Sequence, residues 1–175
     1  MEVSFVRVQG SSDRIYVHRT DGTEVSWTFP TYGEQLPHDF VHMVVEAAFG
    51  LRSGFWGRVD AGVDPGRLNA MASKLGGKDK YAGFGPDRGE IDVAEALAAA
   101  PWSDRALTDE QRKAAISEAC AKFGARTPDS VTVPRIALVR ETLDRLRAQW
   151  RQLVPKGTIK LEFDPKAGEA SFERM

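Results

Sequence analysis

The sequence predicts an α+β domain in which strands from both ends of the chain form one antiparallel sheet, with about five helices between them. Three observations predict it. The first thirty residues read as short alternating strands, the stretch from Thr108 to Leu153 repeats at helical spacing, and alternation returns at Thr158. Strands at the two termini most simply share a sheet, and a helix laid across one face covers its apolar side.

Glu2 to Val8 alternates as a first strand, and Gly10-Ser11-Ser12-Asp13 turns the chain into a second over Arg14–Arg19. Asp21-Gly22 joins it to a third strand, Glu24 to Phe29, as a hairpin whose two central residues both want φ above zero. Pro30 ends that strand. Pro37 suits the first turn of the next helix, where its missing N–H costs nothing, and Gly50 is placed to close it. Gly54 to Gly62 reads as a short helix or a packed loop, and Asp64-Pro65 starts a helix through Leu68 to Leu75. Gly76 to Gly89 (GGKDKYAGFGPDRG) is an exposed loop. Its glycines lack the preceding strand and following helix of a phosphate loop. Glu90 to Ala100 is helical and ends at Pro101.

Thr108-Asp109-Glu110-Gln111 has the form of a capping box; Ile116, Ala119, Cys120 and Phe123 mark that helix's buried face, and Gly124 stops it. A long amphipathic helix follows from Pro134 to Leu153. Its apolar seam of Ile136, Val139, Leu143, Leu146, Trp150 and Leu153 is expected to pack on the sheet. Thr158 to Phe163 and Glu169 to Arg174, around an Asp164–Gly168 turn, form a second predicted hairpin. With no repeat or linker, residues 1–175 form a single predicted domain.

Composition narrows the function. A chain of 175 residues with 24 basic and 25 acidic side chains has a net charge of -1, without the basic excess of a nucleic-acid binder. No apolar run approaches the roughly 20 residues of a membrane span. The alternating N-terminus does not resemble a signal peptide, and the lone cysteine, Cys120, allows no intrachain disulfide, so the expected location is the cytoplasm. Cys120 sits on an apolar helical face and reads as a core residue rather than a thiol nucleophile.

Chemistry is concentrated at Leu36-Pro37-His38-Asp39-Phe40-Val41-His42-Met43-Val44-Val45-Glu46. His38, Asp39, His42 and Glu46 share one arc of roughly 100° on the helix, and apolar residues fill nearly all the rest. Two imidazoles at i and i+4 can share one divalent metal ion such as zinc, about 2.0–2.1 Å from each nitrogen. Glu46 lies two turns from His38, about 12 Å along the axis, too far to join both histidines on one ion. Asp60, Asp64, Asp92 and Glu95 are candidates by residue type for a third ligand.

His38-Asp39-x-x-His42 resembles the His-Glu-x-x-His motif of zinc metallopeptidases, over five residues. The resemblance implies His38 and His42 as ligands and Asp39, one methylene shorter than the usual glutamate, as general base. The His-Asp pair is also similar to that of the HD phosphohydrolases, but their all-helical fold conflicts with the strand predicted around His18. Leu36-Pro37-His38-Asp39-x-x-His42-x-x-Val45-Glu46 followed by Gly54-Phe55-Trp56-Gly57 resembles a small family of bacterial proteins with no assigned activity. That likeness implies a bacterial, cytoplasmic, stand-alone protein.

Two functions are expected from these features. The first is a protein acting through protein contacts without strong catalysis, as a homodimer or with a partner on the 134–153 helix. The second is a metal-dependent, hydrolase-like enzyme with His38 and His42 as ligands and Asp39 or Glu46 as general base. The bland reading of the same residues is a polar network that stabilises the helix.

Overall fold

Strand β1 (Glu2–Val6) is paired on both edges, so the two ends of the chain meet around it. The computed structural model describes residues 1–8, 12–30, 35–66, 68 and 88–164. Among these, β2 (Ser12–His18), β3 (Glu24–Pro30) and β4 (Thr158–Glu162) complete an antiparallel sheet of order β3-β2-β1-β4. Val3 lies opposite Val17 and Leu161, and Phe5 opposite Ile15 and Ile159. All six are buried, because period-two alternation sends every second side chain to the same face. Main-chain bonds between Met1 and Phe163, 2.9 and 3.0 Å, tie the ends together.

The Asp21-Gly22 hairpin forms with a different turn from the expected one. Gly22 has φ +85°, its N–H donates to Arg19 O at 3.0 Å, and Arg19 N–H donates to Thr23 O at 2.9 Å. This is a three-residue loop with a glycine bulge, so Asp21 need not adopt positive φ. The Asp21 carboxylate instead accepts from the Thr23 N–H and hydroxyl.

Five helices lie among the described residues: α1 (His38–Phe49), α2 (Phe55–Asp60), α3 (Arg88–Ala98), α4 (Asp109–Lys122) and α5 (Val133–Gln152). Their ends follow local chemistry. Thr108 and Gln111 form the reciprocal capping box of α4. At its far end Gly124 (φ +71°) bonds back to Ala121 O and Ala125 to Cys120 O, closing the orphan carbonyls. Gly50 (φ +72°) ends α1 in the same way, with Leu51 N–H on Glu46 O. Buried Arg112 fixes the loop before α4 by donating to the carbonyls of Pro101, Asp104 and Leu107.

α1 is the helix at the centre. Phe40 stacks on Phe5 of the sheet with ring centroids 4.2 Å apart, and Trp150 of α5 stands edge-on to Phe40. Ile136, Val139, Leu143, Leu146 and Trp150 of α5 are fully buried, and α5 packs against α1 and α4. Arg7, just past the end of β1, meets the end of α5, donating to Trp150 O and Arg151 O where the helix dipole is negative.

The 54–62 stretch resolves as a helix, α2, with Phe55 and Trp56 buried against Trp27 and Phe5. Pro65, Gly66 and Leu68 are helical, as expected after Asp64; the remainder to Leu75 lies outside the described residues. So do the expected strand from Glu169 to Arg174 and the 76–89 loop, except that Arg88 and Gly89 open α3. No helix among the described residues is long and apolar enough to cross a membrane.

Candidate metal centre

Helical spacing on α1 places His38, His42 and Glu46 one turn apart along a single strip. His38 at the first turn is half-exposed, whereas the His42 and Glu46 side chains are 5% and 0% exposed. The strip is covered by α3, which packs on α1 and carries Glu95. Glu95 Oε2 lies 3.3 Å from His42 Nε2, and Glu95 Oε1 lies 3.6 Å from His38 Nε2. The imidazole rings stand at 88° with centroids 4.7 Å apart. Among the described residues, His38, His42 and Glu95 form a group whose ligand atoms all lie within 4.8 Å of one another.

That spacing is close to what an ion needs. Bonds of about 2.0–2.2 Å in a tetrahedron separate neighbouring ligand atoms by roughly 3.3–3.6 Å. The contacts of His42 and His38 to Glu95, 3.3 and 3.6 Å, engage different carboxylate oxygens, so an ion would draw the three ligand atoms closer than the 4.8 Å within which they lie.

Glu46 works from behind. Its Oε1 lies 3.1 Å from His42 Nδ1 and accepts from Phe55 N–H at 3.0 Å, while Oε2 accepts from Trp56 N–H at 2.9 Å. One carboxylate therefore joins the imidazole to the opening N–H groups of α2, which carry the positive end of the helix dipole. Gly54 permits the approach, since a Cβ there would sit 2.6 Å from the Glu46 carboxyl carbon. Ser53 N–H donates to Glu90 of α3, holding the same loop from its other side.

His42 thus sits between two carboxylates. Burial opposes its charged form, but hydrogen bonds and charge from Glu46 and Glu95 outweigh burial and raise its pKa to about 9. Burial also pushes the Glu46 carboxyl up, against the pull of His42 and the two backbone N–H groups. Without an ion, His42 bridges the two acids through both ring nitrogens.

Asp39 points elsewhere. Its carboxylate accepts from the indole N–H of Trp27 at 3.1 Å, and its carbonyl accepts from that of Trp56 at 2.8 Å. Of the third-ligand candidates, only Glu95 joins the group; Asp60 binds the backbone and hydroxyl of Thr20. Asp92, on α3 one turn before Glu95, is buried and also stands outside the group. The residue type was readable from the sequence, but the choice among four acids depends on how α3 docks.

Compared with protein-family models, curated proteins and solved structures, the chain matches none of them.

Proposed function

We propose that the protein binds one divalent metal ion, zinc by its donor set, through His38, His42 and Glu95, and uses it in hydrolytic chemistry. The observation that carries this reading is the approach of two imidazole nitrogens and a carboxylate from a second helix to within 4.8 Å of one another. Two histidines and one carboxylate form the donor set of catalytic zinc sites, which keep a position open, whereas closed structural sites use four cysteine or histidine ligands. An ion held this way supplies an acidified water as nucleophile. Half-exposed His38 leaves the site a side facing solvent. Asp39 and Glu46 are both engaged with other groups, so the proposal assigns the general base to neither. The contact-based reading has less support, because the α5 seam it relies on is buried within the chain.

The test is metal loading. After incubation with excess zinc and desalting, mass-spectrometric elemental analysis is expected to find one zinc per chain. His38→Ala/His42→Ala and Glu95→Ala are each expected to lose it. A wild-type protein that retains no zinc, manganese or iron would overturn the reading. Hydrolysis is tested separately, on activated carboxylic and phosphate esters; turnover no higher than that of the double variant would remove the catalytic part and leave the binding site.

A further inference from the structure

We infer that Glu46 is a positioning residue for the metal centre, and that it couples occupancy of the centre to the Gly54–Trp56 start of α2. The inference rests on the metal reading above and extends it to residues that touch no ion.

A histidine ligates through one nitrogen only when its other nitrogen carries the proton, and the partner of that N–H decides which nitrogen it is. Glu46, whose two oxygens accept from the Phe55 and Trp56 N–H groups, places Oε1 3.1 Å from His42 Nδ1. It keeps the proton on Nδ1, leaves the Nε2 lone pair facing His38 and Glu95, and fixes the plane of the ring. Carboxylates behind a ligating histidine act in this way, and their loss typically costs about 10–100-fold in metal affinity.

Glu46 cannot move without moving α2. Its two oxygens also accept from Phe55 and Trp56, and Gly54 packs against its carboxyl group with no room for a side chain. The Phe55 ring stands 5.8 Å from the His42 ring, so the start of α2 contacts both members of the pair. An ion on Nε2 would tie the His42 ring to His38 and Glu95 and so fix the position of Nδ1–H against Glu46. Glu46 is then held more firmly, and so are the amides it caps. A carboxylate serving only as the cap of α2 would leave zinc affinity unchanged.

Three measurements with zinc alone test this. In the wild-type protein, hydrogen exchange at the Phe55 and Trp56 amides is expected to slow when zinc is added. Glu46→Gln, which keeps an acceptor but loses the charge, is expected to weaken zinc by about 10–100-fold in calorimetry and to reduce that slowing. Gly54→Ala alters no ligand but displaces the Glu46 carboxylate, and is expected to weaken zinc as well. Wild-type affinity in Glu46→Gln, or exchange indifferent to zinc in the wild type, would overturn the coupling while leaving the metal centre intact. A wild type that binds no zinc would overturn both. The exchange measurement needs no variant, so it decides even where a substitution fails to fold.

Discussion

His42 has a raised pKa, and its sign makes a prediction. Its pKa stands raised, from 6.5 to about 9, because the hydrogen bonds and charges of Glu46 and Glu95 overcome burial. A raised histidine pKa stabilises the folded state fully below the unfolded value of 6.5, and that contribution is lost as pH rises through about 9. Metal-free protein is therefore expected to lose stability across this window, with a slope that His42→Ala lacks. Zinc has to displace the proton on Nε2, so apparent zinc affinity is expected to rise about tenfold per pH unit up to roughly pH 9. Calorimetric titrations at several pH values below 9 check this, and a flat profile would mean that His42 is not a ligand.

Among the elements, α2 shows how a glycine pair becomes necessary. Gly54 makes room for the Glu46 carboxylate, and a Cβ on Gly57 would come within 1.8 Å of the Arg52 carbonyl oxygen. Backbone cannot yield as a side-chain tip can, so Gly57→Ala is expected to cost about 3 kcal/mol or more. A Cβ on Gly89, in the first turn of α3, would meet no described atom outside its own helix within 4 Å, and Gly89→Ala is expected to stabilise by up to about 1 kcal/mol. Urea unfolding of the two variants should move in opposite directions; equal shifts would refute the packing argument. The pair also marks how far the sequence is legible. Thr108 to Gln111 and Gly124 announce the ends of α4 because caps are made by neighbours in sequence. The paired β1 and β4 follow from alternation alone. Nothing local says that Gly54 must face Glu46 or that Glu95 is the acid that reaches the histidines. Those facts arise when helices dock, and docking depends on contacts dozens of residues apart. The position of His38 and His42 on one strip was legible, since helical period fixes it. Their partner was not.

At the scale of the whole molecule, the candidate centre is a cross-link. His42 and Glu95 are 53 positions apart and belong to two helices, so an ion at their meeting point joins α1 to α3 across everything between them. A ligand that binds only the folded chain stabilises it by about 2.7 kcal/mol at a hundred times its dissociation constant. For a chain of this size that amounts to a rise of roughly 5–10 °C in melting temperature. His38 separates this effect from ordinary packing. Its side chain is 47% exposed and its contact with Glu95 is at the long end of an ion pair, so His38→Ala is expected to change metal-free stability by less than about 0.5 kcal/mol. The same substitution removes one of three ligands, and is expected to abolish most of the zinc-induced rise. His42→Ala behaves differently, because it also leaves Glu46 and Glu95 without their shared partner, and should lower the melting temperature with or without zinc. Calorimetric melting of the three proteins, with zinc and then with chelator, distinguishes the cases. A zinc-induced rise that persists in His38→Ala would place the ion elsewhere in the chain.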